Sequence, residues 1–316
     1  MKRFIEELKP GDQVDTLFSV KYKRAVTQYA NGWRFAFGGA DKTGEIEVSY
    51  WGGYDQDKVQ QIHDLFKEGD VVSVQGNVGM WRDKKKIDIN EDKGGISIAD
   101  NFHLADFLPI SDKNLDELYS HLLGLINKVE HDGLRDLLVA FFKDEKFMAD
   151  FKRAPGAMYL HHAWVGGLLE HSLAVTLAAR ETGKNYNIVD MDLLTTGALL
   201  HDIGKMKEYE VTTSIKVGEE GLLRGHTIMG EEMVRDKAKK TGLEEKTLMK
   251  LCHILLSHHG KHEKTAPVEP KFVEAILVHY ADLMDSAASQ FERIKKETTT
   301  EDFHVYDKNW GQIYLK

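Results

Sequence analysis

The sequence predicts a multidomain chain: an N-terminal all-β barrel over residues 1–110, then an all-α helical bundle over residues 111–316. Three observations predict it. The first hundred residues are short segments rich in Val, Ile and aromatics, separated by Gly, Asn and Asp turn signals. Around Pro109 the pattern changes, and Leu115, Leu118, Leu122, Leu125, Ile126 and Val129 recur at helical spacing. The length, 316 residues, gives two domains at about 150 residues each.

Five strand-like segments occupy the first part: QVDTLFSVKYKRAV, WRFAFGGA, GEIEVSYW, DVVSVQGNVGMW and KIDINE. Turn signals such as Ala30-Asn31-Gly32 and Asp41-Lys42-Thr43-Gly44 separate them. Between the third and fourth, Val59, Ile62, Leu65 and Phe66 have amphipathic spacing and predict one helix over 54–66. Five strands with a helix after the third is the order of an OB-fold barrel. In the second part, Asn114 and Glu117 predict an N-cap and capping-box pair. Further helices are expected over about 133–151, 162–182, 190–201, 226–240, 244–258 and 270–297, with Gly or Pro in the gaps. The last fifteen residues, aromatic and polar, receive no assignment.

Composition narrows the classes of function. Hydrophobic residues are 42% and charged residues 29%, with only 5 Pro, which excludes a disordered chain, a collagen-like chain and a disulfide scaffold. No run of about 18 apolar residues occurs, so no membrane partner is expected. The N-terminus MKRFIEELKPGDQV carries charges where a signal peptide needs an apolar stretch. A single cysteine, Cys252, fits a reducing compartment, and the expected location is cytoplasmic. Net charge is −9, which argues against a non-specific DNA coater, so any nucleic-acid contact must come from local patches, metals or stacking. There are 15 histidines, nine of them between His161 and His262. Histidine is the commonest metal ligand.

The pair His201-Asp202 ends the apolar stretch LLTTGALLHDIGK. A buried imidazole and carboxylate need partners, and a metal ion supplies one. His171, His226, His258 and Asp282 also sit in or beside apolar helical stretches. The order His171, His201-Asp202, His226, His258, Asp282 resembles the metal-ligand order of the HD phosphohydrolase superfamily. Each gap is one helix-turn-helix step, as a bundle needs to bring several helices to one core site. A small OB barrel followed by an HD domain, with the strings HHAWVGGLLEHSLAV and LLHDIGK, is similar to the YhaM-type 3′→5′ exoribonucleases of bacteria, over essentially the whole chain. After His258-His259 the chain reads GKHEKTAP, without the Gly-Tyr-Pro signature of the cyclic-dinucleotide branch.

The resemblance implies one divalent ion held by His171, His201, Asp202 and Asp282. Asp202 would bridge to a second ion held by His226 and His258, and an activated water would attack phosphorus to release a nucleoside 5′-monophosphate. Mixed imidazole and carboxylate ligands favour Mn²⁺, with Fe²⁺, Co²⁺, Zn²⁺ and Mg²⁺ as alternatives. Lys205 is read as catalytic, a cation on a phosphate oxygen, against the plainer reading of a solvated helix-end lysine. His162 and His259 are candidates for contact with substrate or for support behind a ligand. In the barrel, Trp33, Phe35, Tyr50, Trp51 and Trp81 are candidate stacking platforms, and Lys84 and Lys85 candidate backbone contacts. Two plainer readings stand beside these. Alternation along WRFAFGG puts Trp33, Phe35 and Phe37 on one face, which the barrel interior would claim, and the lysine run fits a solvated hairpin tip. The activity the resemblance implies is 3′→5′ hydrolysis of single-stranded RNA, with single-stranded DNA as a further substrate and a homo-oligomer as the expected assembly. The rivals are an HD-type nucleotidase or dNTP hydrolase with a regulatory barrel, and a non-catalytic OB-type binding protein with a structural metal domain.

Overall fold

The computed structural model describes residues 2–158, 162–261 and 266–316; His161 and His262 lie outside them. The chain folds as two compact units. One runs to Pro109 and includes Val211–Ser214; the other comprises Ile110–Glu210 and Ile215–Lys316.

The first unit is a closed barrel. Its strands are β1 (Gln13–Tyr29), β2 (Gly32–Asp41), β3 (Gly44–Trp51), β4 (Val71–Trp81) and β5 (Lys84–Asn90), with helix α1 (Gln56–Asp64) between β3 and β4. The order β1-β2-β3-β5-β4 closes by pairing β4 back onto β1, and β3 and β5 run parallel. That is the five-stranded OB arrangement. Closure depends on the length of β1. Gln13–Ser19 pairs with β4 and Ser19–Tyr29 pairs with β2, with register shifts at Val20/Tyr22 and Arg24/Thr27 that bend the strand. Alternation then sends Val14, Phe18, Val20, Phe35, Phe37, Ile46, Val48, Tyr50, Val72, Val74, Ile87 and Ile89 inward. Asp55 caps α1 by accepting from the Lys58 amide, and Val59 and Phe66 join the core. A short strand absent from the sequence reading, β6 (Gly95–Ile98), pairs with β4.

The second unit is helical: α2 (Leu115–Ile126), α3 (Asp132–Phe142), α4 (Glu145–Arg153), α5 (Gly167–Gly183), α6 (Met191–Leu200), α7 (Lys205–Glu208), α8 (Glu219–Ala238), α9 (Glu245–Ser257) and α10 (Val273–Glu297). Asn114 caps α2 as expected, accepting from the Asp116 and Glu117 amides while its own amide donates to Glu117 Oε1. Three helices differ from the sequence reading. The helix expected over 133–151 is two, because Asp144 caps a fresh start by accepting from the Phe147 amide. The helix expected from 162 begins at Gly167, after Gly166 in a left-handed conformation at φ +88°. The helix expected from 226 begins at Glu219 and kinks at Gly225, where φ 70° and ψ 154° break it. Two hairpins complete the chain, β7 (Tyr209–Val211) with β8 (Ile215–Val217), and β9 (His304–Asp307) with β10 (Gly311–Tyr314). The bundle core packs Leu168, Leu169, Leu194, Ala198, Leu199, Leu200, Leu251, Ile254, Leu255 and Val278 from four helices. These helices carry the polar site.

Candidate metal centre and nucleic-acid face

Five elements converge on Asp202. His201 and Asp202 follow α6, whose apolar residues bury both. His171 projects from α5, His258 follows α9, and Asp282 lies on α10. His226 is turned in by the kink at Gly225, while Gly204 lets α7 and α8 approach until an added Cβ would lie 1.9 Å from the His226 carbonyl oxygen. Around Asp202 Oδ2 stand His171 Nε2 at 3.3 Å, His201 Nε2 at 3.2 Å and Lys205 Nζ at 2.6 Å. Around Oδ1 stand His226 Nε2 at 3.5 Å and His258 Nε2 at 3.4 Å. His171 Nε2 lies 3.1 Å from Asp282 Oδ1. Among the described residues three candidate donor groups result: His171, His201, Asp202 and Asp282; His226, His258 and His259; and, behind the first, His162, His171 and Asp285.

The donor chemistry fits divalent cations. A backbone carbonyl only accepts, so His201 Nδ1 donates to Ala198 O at 2.8 Å and His258 Nδ1 donates to Leu255 O at 2.7 Å. With His171 Nδ1 on Asp285 Oδ2 at 2.7 Å and His226 Nδ1 on Glu208 Oε2 at 3.0 Å, each ring commits a proton away from the centre. Four Nε2 atoms then face one carboxylate, each able to offer a lone pair to a cation. Neither Asp202 oxygen nor His258 Nε2 has an aligned hydrogen-bond partner, although all three are buried; the Lys205 ammonium approaches Oδ2 as an ion contact without that alignment. Buried carboxylate oxygens without aligned donors are costly, and a cation among these groups removes the cost.

The ionisation of the cluster follows from its burial and charges. Burial raises the Asp202 pKa, but the Lys205 and His201 charges and the His171 and His201 contacts hold it well below the usual carboxylate range. Burial opposes the His171 cation, yet contacts with Asp202, Asp282 and Asp285 hold its pKa well above the ordinary value, so a bound cation would take the place of that proton. Burial lowers His258. Burial, then repulsion from His258 and His226, pushes His259 down to about 2, so its ring is neutral and available as a donor.

Several sequence expectations find definite places. His171, His201, Asp202, His226, His258 and Asp282 come together. His259 joins them, its Nε2 2.9 Å from His226 Nε2. Lys205 is not a solvated helix-end lysine: it is 5% exposed, with Nζ on Asp202 and on Gly156 O at 2.7 Å. His162 lies behind His171, with Nε2 2.9 Å from Asp285 Oδ2. Sequence reasoning missed Asp285 and Glu208. Asp285 falls one turn after Asp282, a spacing that points to it. Glu208 binds both the amide and the ring of His226, at 3.2 and 3.0 Å, and no periodicity marks it.

On the barrel, the structure corrects the sequence reading. Phe35 and Tyr50, read as stacking platforms, are each 2% exposed and stack on one another inside the core, 5.1 Å between centroids. Barrel closure turns their face inward and leaves no room for a base. Lys85, read as a backbone contact, donates to Ile5 O at 2.9 Å and Leu8 O at 3.0 Å and is tied to its own N-terminal segment. Trp33 is half-buried against the core. Trp51 and Trp81 instead line a groove with Arg24, Arg34, Ser49 and Lys86, continuous with a second lined by Tyr22, Arg82 and Lys84. Arg34 lies over the Trp51 ring at 4.9 Å, and Lys86 lies 5.7 Å from Trp51 and 5.9 Å from Trp81. Asp88 Oδ1 accepts from Trp51 Nε1 at 2.7 Å and from Lys86 Nζ at 2.8 Å, fixing both. Trp81 is 62% exposed.

An OB-type barrel joined to a helical unit with this His/Asp constellation defines a class, the HD-domain phosphohydrolases with an added OB-type unit. The family model of the HD domain matches residues 168–287. A curated relative from Listeria innocua, named 3′-5′ exoribonuclease YhaM, is 30% identical over 263 residues, covering 83% of this chain and 82% of the relative. A protein of the same name from Oceanobacillus iheyensis is 31% identical over 258 residues, covering 80% and 77%. The chain belongs to the YhaM family. Among solved structures, Bd1817, an HDG"Y"P protein from Bdellovibrio bacteriovorus, covers 75% of this chain and 90% of its own, at a TM-score of 0.32 and 14% identity. No helix among the described residues is long and apolar enough to cross a membrane.

Proposed function

We propose that the protein is a divalent-metal-dependent exoribonuclease that shortens single-stranded RNA from the 3′ end and releases nucleoside 5′-monophosphates. One observation carries the reading: four imidazole nitrogens and Asp282 converge on Asp202, whose buried oxygens lack aligned donors. Family membership supports it, since the curated relatives carry the name 3′-5′ exoribonuclease. His171, His201, Asp202 and Asp282 would hold one cation, and His226, His258 and His259, beside Asp202, would hold another. Cations bound there supply positive charge to phosphate oxygens and lower the pKa of a water. Imidazole with carboxylate suits Mn²⁺ among the candidates.

The chain's own groups do the rest. Lys205 sets its ammonium beside Asp202 Oδ2, where it balances the Asp202 carboxylate and adds positive charge at the phosphate. Glu208 fixes the His226 ring. In the barrel, Trp51 and Trp81 stack bases without regard to sequence, while Arg24, Arg34, Lys84 and Lys86 follow the backbone. The test is digestion of RNA labelled at the 5′ end, with Mn²⁺, resolved on a gel. A ladder of shortening labelled products is expected. Immediate release of a labelled mononucleotide would reverse the polarity, discrete internal fragments would make the enzyme an endonuclease, and turnover of free nucleotides alone would select a nucleotidase.

A further inference from the structure

Behind the metal centre lies a second layer of buried polar groups that the proposed reaction does not use. The carboxylate oxygen Asp285 Oδ2 meets two imidazoles at once, His171 Nδ1 at 2.7 Å and His162 Nε2 at 2.9 Å. His162 is 3% exposed and holds a left-handed backbone, φ 49°. That conformation is costly for a residue with a side chain, and it persists only where the surroundings impose it. Here two glycines impose it. The Gly156 amide donates to His162 O at 2.9 Å, and a Cβ at Gly167 would lie 2.0 Å from that same oxygen. On its other side His162 Nδ1 lies 4.0 Å from Glu170 Oε1. Glu170, 7% exposed, is itself pinned by Lys113 at 2.7 Å, Ser111 Oγ at 2.8 Å and Trp164 Nε1 at 3.1 Å.

We propose that Asp285 and His162 are positioning residues. Asp285 accepts from His171 Nδ1, which sets the ring plane so that Nε2 faces the centre. His162, strained into place and backed by Glu170, holds the Asp285 carboxylate in that pose. A carboxylate behind a metal-ligating histidine raises its basicity and sets its ring plane, and losing such a partner weakens metal affinity about 10–100-fold. Gly156, whose amide holds His162 O, also reaches the other side of the centre, because its carbonyl oxygen accepts from Lys205 Nζ at 2.7 Å. Gly156 thereby ties the His162 side of the centre to the lysine beside the Asp202 carboxylate.

The inference rests on the reading of the His/Asp set as a divalent-cation site, and the experiment separates the two. Full-length wild type, Asp285→Asn, His162→Ala and His162→Gln are stripped with a chelator and titrated with Mn²⁺ by calorimetry. Thermal unfolding with chelator present checks the fold. Asp285→Asn is expected to weaken Mn²⁺ binding about 10–100-fold. His162→Ala should weaken it less, and His162→Gln, whose amide Nε2 can donate where the imidazole did, should recover most of that loss. At saturating Mn²⁺ the RNA KM should be unchanged while kcat falls. Variants that fold and bind Mn²⁺ as tightly as wild type would overturn the positioning role alone. A wild type that binds no Mn²⁺ would overturn the cation-site reading with it. A stoichiometry that drops by one ion in His162→Ala would show that His162, His171 and Asp285 are themselves a cation site, and would also overturn it.

Discussion

Replacing Gly204 by alanine adds a methyl group to the residue that separates the Asp202 turn from the His226 backbone. The added carbon would lie 1.9 Å from His226 O and 2.6 Å from the Gly230 amide nitrogen. Both are backbone atoms, so no side-chain rotation relieves the overlap. Real Cβ contacts stay beyond 3.0 Å, and the two segments must separate by about 1.1 Å. Overpacking of this kind costs about 1–3 kcal/mol, and Tm falls by roughly 2–4 °C per kcal/mol in a unit of this size. Activity should suffer more. The displacement carries His226 away from Asp202 Oδ1, now 3.5 Å distant, and about 1 Å of misplacement at a reacting centre costs about 100-fold in rate. The assay pairs single-turnover RNA hydrolysis at saturating Mn²⁺ with thermal unfolding. A Gly204→Ala protein with wild-type Tm and wild-type rate would refute the reasoning, because the turn would then have yielded without moving the histidine.

Asp202→Asn should lower hydrolysis by more than about 100-fold, beyond the effect of losing a ligand's outer partner, while RNA binding measured with a chelator by fluorescence anisotropy stays near wild type; the chelator should silence wild type, and Mn²⁺ should restore it. Trp81→Ala should weaken single-stranded RNA binding by about 1–3 kcal/mol, the value of one stacked base, in the same anisotropy measurement. Phe35→Ala should instead cost about 3–5 kcal/mol of barrel stability, read from denaturant unfolding, because its ring lies in the core. Cys252 is 2% exposed, and burial pushes its thiol up to about 12; no thiolate forms at pH 8, so a thiol reagent such as iodoacetamide should leave the native protein unmodified and label it only after denaturation.

The residues that cluster around Asp202 were legible because most lie in or beside an apolar helical stretch where a polar side chain requires an explanation, and His201-Asp202 announces itself by ending one. Their supports were harder to find. Glu208 meets His226 through the kink at Gly225, and sequence spacing carries no trace of such a turn. His162, five residues before α5, and Asp285, on α10, are 123 residues apart and meet where α5 and α10 pack together. In the barrel, alternation correctly grouped Phe35 with Phe37, but a strand has two faces and a period of two does not say which one closes inward. Closure decides it, sending Phe35 and Tyr50 into the core and leaving Trp81 outside. Lys85 and Lys86 are neighbours in sequence, yet one is spent on the N-terminal segment and the other stands beside two tryptophans.

The sharing of β1 between two neighbours bears on how the barrel comes apart. Because Ser19 belongs to both ladders, facing Val71 on one side and Ala40 on the other, neither seam can peel without unsettling its twin. Partial opening would bare two long rims of unsatisfied amides and carbonyls, which invite pairing between copies and hence precipitation. The amides of β1 are therefore expected to exchange with deuterium only through wholesale unfolding, in step with one another from Val14 to Tyr22.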